Sequence, residues 1–363
     1  MRRTAALIVG GGPAGSAAAI TLARGGIAPE IIERTTSAHD VVCGGFLGWD
    51  ALAALGRLGI DAHALGARPI DRVRLVTAER RIEARLPKTA VGLSRRTLDA
   101  AMLTAAVDAG ALVTRGRTVR AADADALSIR LDDGEEIAAK ALFLATGKHE
   151  LRGVPRPLAE RVEPPAVGLR MALPASASLE RALAGVIELH FFDGGYAGLL
   201  LQEDGTTNLC LSVAKKRVAD ASGAQALIER IASEAPLLGE RIAAGTGQEW
   251  QSIAGVPYGW RARATLPGLF RLGDQSAVIS SLAGDGVAIA LTSGIEAASA
   301  MLRGGPVAAP AFQAAFARRS ALPLRLADLL RRSAESGRTR PALMRLAAVP
   351  ALTRAAARLT RIG

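Results

Sequence analysis

The chain has 363 residues, half of them apolar, so it can bury a large core and is not globally disordered. Its net charge of +11 does not indicate nucleic-acid binding, because only 3% of residues are aromatic and no nucleic-acid-reading motif is present. No run of about 18 apolar residues predicts a membrane span, and two cysteines and four scattered histidines predict neither a disulfide framework nor a metal site.

The N-terminus carries a glycine-rich turn between a predicted strand at residues 5–9 and a predicted helix at residues 14–24. Gly10, Gly12 and Gly15 have the spacing G-x-G-x-x-G. Gly10 permits a tight turn, Gly12 lets the backbone approach a diphosphate, and Gly15 lets the helix pack closely on the sheet. The helix N-terminus offers free N–H groups and a positive dipole end. The order of these features predicts a dinucleotide site.

An acidic residue follows at the end of the second predicted strand, residues 30–33. Glu33 lies where a carboxylate can accept hydrogen bonds from the hydroxyls of an adenosine ribose. It favours a free ribose over a 2′-phosphate, and the neighbouring Arg34 weakens that preference. Glu33 and Arg34 are therefore both predicted to contact the nucleotide.

The middle of the chain predicts two kinds of sheet. A hairpin is expected at 72–77 and 80–86, and Ser94 is expected to cap a helix. Helices are predicted at 49–58, 95–109, 224–235 and 286–302. A meander of strands is predicted at 111–114, 117–121, 127–131 and 136–138, followed by a buried strand at 141–145. An antiparallel sheet is predicted from strands at 166–173, 186–192, 196–201 and 208–213, and a short strand at 269–272.

A second glycine-rich element occurs about 260 residues after the first. Gly273-Asp274 follows the short strand at 269–272, and Gly284, Asp285 and Gly286 precede the long helix. Two such elements in this order indicate that the chain returns to the same nucleotide after building another unit. This arrangement favours a flavin enzyme over a nicotinamide-dependent dehydrogenase.

The C-terminal segment is strongly basic. Residues 311–363 contain eleven arginines and only two acidic residues, Asp328 and Glu335, so nine of the eleven net positive charges lie in this segment. Its helical apolar spacing predicts either contact with an anionic membrane or acidic carrier protein, or a solvated helical face. The first predicted strand leaves no room for a cleavable signal, so we expect a cytoplasmic protein, with peripheral membrane association as an alternative.

The order of these elements resembles FAD-dependent oxidoreductases with the p-hydroxybenzoate hydroxylase fold, and within them the geranylgeranyl reductase family. The resemblance covers residues 1 to about 305. It rests on Cys43-Gly44-Gly45, on the stretches 92–99 and 254–257, and on Gly273-Asp274 with Ser293-Gly294 downstream.

This resemblance implies FAD as the cofactor, and we expect NAD(P)H as the electron donor, with electrons from a partner as the alternative. Arg95 would lie near the diphosphate, Asp274 would accept bonds from ribitol hydroxyls, and the helix from Gly286 would point its positive end at the flavin. The implied cofactor-binding residues are Gly10, Gly12, Pro13, Ala14, Gly15, Glu33, Arg34, Gly44, Gly45, Arg95, Thr146, Gly147, Gly273, Asp274, Gly284, Asp285, Gly286 and Val287.

The candidate catalytic residues are Cys43, Tyr196 and Ser281. Cys43 lies in a glycine loop where a thiol could donate a proton, or it is a small buried apolar residue. Ser281 either offers a hydroxyl or is a turn serine. Other candidates for the pocket are Phe46, Tyr258 and Trp260, whereas Lys148 and His149 are expected at the surface.

Departures from the family patterns limit the reaction that can be predicted. Of the prenyl-reductase stretch Tyr-x-Trp-x-Phe-Pro, only Tyr196 is present, which places prenyl-chain reduction in doubt. The halogenase motif Trp-x-Trp-x-Ile-Pro is absent, and the few lysines argue against halogenation. The Asp-Gly pair and the proline of aromatic hydroxylases are replaced near Thr146 and Ser281, which weakens the hydroxylase interpretation.

The sequence therefore predicts an α/β fold: a Rossmann-type FAD-binding domain with a parallel sheet, interleaved with a mostly antiparallel substrate-domain sheet, and a C-terminal helical tail. The FAD-binding domain is expected at 1–70, 90–165 and 262–305. The substrate domain is expected at 71–89 and 166–261, and the basic helical region at 306–363.

The predicted function is FAD-dependent reduction or monooxygenation of an apolar small molecule, or of an intermediate delivered by a carrier or membrane. The alternatives are a non-catalytic flavin-binding partner in a biosynthetic complex and, with less support, a flavin-dependent halogenase. None of these candidate functions is expected to involve a bound metal or nucleic acid.

Overall fold

The computed structural model describes residues 2–156, 166–243 and 249–362. The strands are β1 Arg2–Val9, β2 Pro29–Glu33, β3 Phe46–Leu47, β4 Arg68–Val76, β5 Arg81–Gly92, β6 Leu112–Arg115, β7 Val119–Asp123, β8 Ser128–Leu131, β9 Glu136–Leu144, β10 Ala166–Leu173, β11 Gly185–Phe192, β12 Gly195–Leu201, β13 Thr207–Val213, β14 Gln251–Val256 and β15 Leu269–Arg271.

The helices are α1 Pro13–Arg24, α2 Trp49–Arg57, α3 Arg95–Asp108, α4 Ala177–Leu183, α5 Lys215–Ala219, α6 Ala224–Glu234, α7 Pro236–Ala243, α8 Gly286–Gly304, α9 Ala309–Arg319, α10 Ala321–Glu335, α11 Arg340–Ala347 and α12 Pro350–Leu359. Short 3-10 turns lie at Gly273–Gln275, Ser281–Ala283 and Pro306–Ala308.

The first sheet has seven strands in the order β6-β2-β1-β9-β8-β7, with β15 also paired to β9. β6, β2, β1, β9 and β15 run parallel, whereas β8 and β7 are antiparallel additions. The second sheet has eight strands in the order β14-β10-β13-β12-β11-β4-β5-β3, and only its β11–β4 pair is parallel. The predicted α/β fold class, with a parallel sheet, a mostly antiparallel sheet and C-terminal helices, is confirmed.

Most predicted elements are confirmed within one or two residues at each end. The predicted hairpin is confirmed as the β4–β5 pair, but β4 begins four residues earlier and β5 ends six residues later than predicted. Ser94 caps α3, because its Oγ accepts the N–H of Thr97 at 3.1 Å. Helices α4, α5 and α7 and strand β14 were not predicted, whereas strands β10 to β13 and helix α6 begin and end within one residue of their predicted positions. Local residue patterns were sufficient for these elements.

The predicted meander is wrong in two details. β6, expected to begin it, pairs in parallel with β2 instead. The strands expected at 136–138 and 141–145 are one strand, β9, whose first part pairs with β8 and whose last part pairs with β15. β9 runs without a break through Lys140, whose side chain is exposed. The domain boundaries remain predictions, and the one at residue 165 lies outside the described residues.

Helices α1 and α8 pack against each other over the first sheet, and glycines make this close approach possible. A Cβ on Gly294 in α8 would lie only 2.4 Å from the carbonyl oxygen of Ala14. The contact is otherwise formed by small residues, among them Ala17 and Ala18, which are fully buried. This packing fixes the position of α8 relative to α1 and to the glycine-rich turn before it.

Candidate functional site

A cavity of about 790 Å³ extends from the carboxyl end of β1 to the second sheet. It is lined by both glycine-rich elements and by residues of β12 and β13. The two units that the sequence separates along the chain therefore share one cavity. Its volume is in the range of small-molecule and cofactor sites.

The first glycine-rich turn presents bare backbone to this cavity. Gly10 has a φ of +106°, and a Cβ there would lie 2.5 Å from the carbonyl oxygen of Ala145. Gly12 is the N-cap of α1, and no side chain caps the helix. Gly15 does not line the cavity; a Cβ on it would lie 1.9 Å from the Gly10 carbonyl oxygen, so it serves close packing of the helix on the turn.

Glu33 lies beside this turn as a half-buried carboxylate. It accepts the N–H of Gly11 at 2.8 Å, and the N–H and hydroxyl of Thr35 at 2.9 and 2.8 Å. Burial alone would raise the pKa of Glu33, but these hydrogen bonds outweigh it and hold the pKa below its ordinary value. The group is therefore an acceptor at neutral pH. The neighbouring Arg34 lines the cavity and contacts Nε2 of His149 at 2.9 Å.

A guanidinium lies opposite the turn. Arg95, at the start of α3, makes two hydrogen bonds of 2.7 Å to Asp99, and a Cβ on Gly12 would lie 3.5 Å from its Nη2. Burial alone would lower the pKa of Arg95, but Asp99 and the nearby Cys43 raise it. The group therefore stays cationic next to the exposed backbone of the turn.

Lys148 is half-buried and lines the cavity, in contrast to its expected surface placement, whereas His149 is exposed. The Nζ of Lys148 donates to the carbonyl oxygen of Val42 at 3.0 Å. Burial alone would lower the pKa of Lys148, but Asp274 together with Tyr258, Cys43 and Cys210 outweighs it, so the pKa is raised. Sequence reasoning missed this residue because the turn at 146–149 is polar, a pattern typical of surface loops.

The second helix N-terminus at the cavity is that of α8. Gly284, Gly286 and Val287 line the cavity, and no side chain caps the helix. Asp285 was predicted to contact the cofactor, but its carboxylate does not line the cavity. It is fully buried and accepts hydrogen bonds from Arg361 Nη1 at 2.8 Å and from the N–H of Ile362 at 3.1 Å.

The remaining predicted cofactor contacts, together with the three predicted catalytic residues, line the same cavity: Pro13, Ala14, Gly44, Gly45, Thr146, Gly147, Gly273, Asp274, Cys43, Tyr196 and Ser281. Phe46 and Tyr258 also line it. Trp260 does not, because its side chain is buried against Val256 and Val278 in a separate core cluster.

A group of hydroxyls lies at the end of the cavity formed by the second sheet. Tyr258 Oη lies 2.7 Å from Ser281 Oγ and 3.3 Å from Ser212 Oγ. Among the described residues, Tyr196 Oη is buried without a hydrogen-bond partner. Burial raises the pKa of Tyr196 well above its ordinary value, so the phenol keeps its proton. This end of the cavity offers proton-bearing groups to a bound molecule.

Sequence reasoning missed Ser212, although a signal was present. Polar side chains at Asn208, Cys210 and Ser212 occupy every second position of the apolar strand β13, so they share one face. Cys210 and Ser212 line the cavity. Asn208 Nδ2 donates to the carbonyl oxygen of Cys43 at 2.9 Å, which holds the loop of Cys43 against this sheet.

These features fit a flavin adenine dinucleotide. Two uncapped helix N-termini face one cavity, which suits a diphosphate and a flavin ring that accumulates negative charge. A carboxylate lies beside the first turn, and a guanidinium lies across from it. Among the described residues, no cluster of side chains suits a metal ion.

No helix in the described part of the chain combines the length and apolar character needed to cross a bilayer.

Comparisons with known proteins agree with this site. Residues 3–152 match the family described as an FAD binding domain. The chain is 27% identical over 322 residues to the menaquinone reductase of Mycolicibacterium smegmatis, covering 84% of this chain and 77% of that protein.

Solved structures share the fold at low sequence identity. A probable FAD-dependent monooxygenase, PqsL of Pseudomonas aeruginosa, superposes with a TM-score of 0.73 and 18% identity, covering 95% of this chain and all of the other. A geranylgeranyl bacteriochlorophyll reductase-like protein of Thermoplasma acidophilum gives 0.71 and 19%, covering 100% and 94%. A brominase and two halogenases also share the fold. With its cavity, its FAD binding domain and these relatives, the chain is an FAD-dependent oxidoreductase.

Proposed function

We propose that this enzyme reduces an apolar small molecule at the second-sheet end of the cavity, using FAD and with NAD(P)H as the electron donor. The observation that carries the proposal is the group of hydroxyls around Tyr196, which lies in the same cavity as the glycine-rich turns. Around these hydroxyls the wall is apolar and is formed by Ile187, Leu189, Leu200, Leu211, Ile253 and Leu282. Such a wall suits an apolar substrate with a single polar end.

Reduction requires a hydride and a proton, and the two have separate sources in this proposal. Bound FAD supplies the hydride chemistry. Tyr196, whose phenol stays protonated, donates a hydrogen bond or proton to the polar end of the substrate. Ser281 and Tyr258 orient that end, and Cys43 is a second proton donor on the loop across the cavity.

The cofactor roles are proposed for the residues that face the cavity. Gly12 and the N-terminus of α1 hold the diphosphate with Arg95, and Glu33 accepts the adenosine ribose hydroxyls. Asp274 accepts the ribitol hydroxyls, and the N-terminus of α8 faces the flavin. In this assignment the first sheet holds the cofactor and the second sheet holds the substrate.

Monooxygenation is the second candidate, because the fold is shared with PqsL. The relative named as a menaquinone reductase favours reduction. Halogenation has less support. Of the five lysines, all of them among the described residues, only Lys148 lines the cavity, and its Nζ is engaged by the Val42 carbonyl.

An anaerobic absorbance titration of the FAD-loaded protein with NADH and NADPH tests the proposal. We expect bleaching of the flavin by a nicotinamide, followed by recovery of the colour when an apolar quinone is added without oxygen. Colour that returns only with air, with oxygen uptake that depends on substrate, would favour monooxygenation. Flavin that no nicotinamide reduces would reject NAD(P)H as the donor and support a non-catalytic flavin-binding role.

A further inference from the structure

The last 28 residues of the chain are exclusively basic in charge. Residues 336–363 contain six arginines and no aspartate, glutamate or lysine. Arg340 pairs with Asp193 and Arg361 pairs with Asp285. Arg338, Arg345 and Arg358 are exposed and make no ion pair within the described chain. The segment therefore presents positive charge that the protein itself does not neutralise.

Helix α12 has an outer face that combines this charge with apolar side chains. Its exposed residues Ala351, Leu352, Ala355 and Leu359 recur at helical spacing and form one stripe. Arg354 and Arg358 lie along one edge of the stripe and are also exposed. The opposite face, which includes Thr353 and Ala356, turns toward the protein. Leu352 and Leu359 are 46% and 53% exposed.

The exposed apolar residues are concentrated in the C-terminal helices. Ten large apolar side chains are exposed among the described residues, and six of them belong to this region: Leu322, Leu329, Leu346, Val349, Leu352 and Leu359. Leucines and arginines also alternate along the outer face of α10, at Leu322, Arg325, Leu329 and Arg332. A concentration of exposed apolar side chains of this kind marks an interaction surface.

A second cavity, of about 390 Å³, opens at the same surface. It lies between the C-terminal helices and the second sheet, and its lining is almost entirely apolar. The exposed side chains of Leu346 and Leu352 line its outer part, whereas Phe46, Leu282 and Gly284 line both this cavity and the main one. The two cavities therefore lie side by side and share part of their walls.

We propose that α11 and α12 dock on an anionic lipid membrane, with the arginines at the headgroups and Leu352 and Leu359 in the headgroup–acyl boundary. A basic amphipathic helix has this mode of binding. An acidic protein would neutralise the arginines but would not account for the exposed leucines and the apolar cavity at the same surface. Nucleic acid is disfavoured, because residues 336–363 contain no aromatic side chain for stacking. The docking proposal does not depend on which reaction the site performs.

Co-sedimentation of the full-length, FAD-loaded protein with vesicles tests this proposal. We expect binding to vesicles of phosphatidylcholine with phosphatidylglycerol, little binding to phosphatidylcholine alone, and weaker binding at high salt. The double variant Arg354→Gln/Arg358→Gln should lower the partition coefficient by about thirtyfold. Leu352→Ser/Leu359→Ser should remove the part of the binding that survives high salt.

A matched control removes the same charge elsewhere. Arg120 and Arg152 are exposed and line neither cavity, so Arg120→Gln/Arg152→Gln should bind vesicles like the wild type. FAD content and thermal stability, measured on the same samples, should be equal in all variants because the altered side chains are exposed. The proposal is overturned if the wild type stays in solution with anionic vesicles, if the control loses as much binding as the α12 variant, or if only a soluble acidic protein is bound.

Discussion

Tyr196 presents a phenol oxygen that is buried at the second-sheet end of the cavity, and the residue is 4% exposed. This oxygen makes no hydrogen bond of good geometry with the other described residues, although Ser281 lies near enough to interact with it. A buried hydroxyl without a partner has a free-energy cost of about 1–3 kcal/mol. A bound substrate that accepts its proton would recover this cost. Tyr196 is therefore the residue at which we expect a substitution to affect the reaction with substrate most directly.

Tyr196→Phe keeps the ring and removes only the oxygen. We expect reoxidation of the reduced enzyme by substrate to slow by about 100-fold, because a positioned proton donor is lost. Stopped-flow absorbance without oxygen measures this rate. Reduction of the same variant by nicotinamide is the internal control and should be unchanged. Equal reoxidation rates in the variant and the wild type would remove Tyr196 from the mechanism.

The carboxylate of Asp285 has a partner that the surrounding motif does not indicate. Its G-D-G context predicted a cofactor contact, whereas its partner is Arg361, 76 residues later in the sequence. No local pattern indicates that pairing. Arg361 also lies over the rings of Phe46 and Trp49, at 5.7 and 4.6 Å from their centroids. The chain terminus is thereby held against the loop that precedes α8.

The buried Asp285 carboxyl gives a prediction for stability. Burial raises its pKa to about 6, although Arg361 opposes the shift. Because the folded state holds this proton more tightly than the unfolded state, its contribution to the free energy of unfolding is complete below about pH 4 and is lost as the pH rises through 6. The contribution is at most about 3 kcal/mol.

Asp285→Asn should remove this dependence. Chemical unfolding of the wild type and the variant between pH 4 and 7 gives the difference, which should change by about 1–3 kcal/mol across that range. Other titrating groups affect both proteins equally and cancel in the comparison. A difference that does not vary with pH would show that Asp285 does not titrate in this range.

At the scale of elements, the contact between α1 and α8 sets the relative position of the two glycine-rich motifs that precede these helices. Its closest approach is at Gly294, where a Cβ would meet the Ala14 carbonyl oxygen at 2.4 Å and the Ala17 Cβ at 3.0 Å. Backbone and neighbouring alanines line this contact, so neither side can give way by changing a rotamer. The spacing of the two helix N-termini therefore depends on the absence of a side chain here.

Gly294→Ala should lower the free energy of unfolding by about 2–3 kcal/mol or more through overpacking, and should weaken FAD binding by displacing α8. Gly56→Ala is the matched control, because Gly56 is exposed in α2 and an added Cβ there meets no atom within 4 Å. It should be neutral or stabilise the protein by up to about 1 kcal/mol. Denaturant unfolding measures the free energy of unfolding of both variants. Equal values for Gly294→Ala and Gly56→Ala would contradict the packing account.

Elements were predictable where the signal was local, and unpredictable where pairing was distant. The turn at Gly10, the cap at Ser94 and the hairpin of β4 and β5 follow from short patterns of residues. The parallel pairing of β6 with β2 and the continuity of β9 do not, because they depend on neighbours far along the chain. The same holds for the apolar cavity under the C-terminal helices, which several distant elements build together.

At the scale of the whole molecule, two sheets of different character meet at one cavity. The first sheet brings backbone N–H groups and charged side chains to it, and the second brings hydroxyls and an apolar wall. The C-terminal helices then cover a second, apolar cavity that shares part of its lining with the first. The sequence predicted a parallel sheet for the cofactor and an antiparallel sheet for the substrate. In the structure, the glycine-rich element at 273–286 lines the same cavity as the glycine-rich turn at 10–15.

The central claim is that this cavity holds FAD against the uncapped turn at Gly12, and FAD titration of the apoprotein tests it most directly. A Cβ at Gly12 would meet only Arg95 Nη2, at 3.5 Å, so Gly12→Ala should fold normally while occupying the space that a diphosphate needs. We predict tight FAD binding by the wild type, an affinity at least about tenfold weaker for Gly12→Ala, and equal thermal stability of the two apoproteins. A wild-type protein that takes up no FAD, or a variant that binds it equally well, would contradict the account.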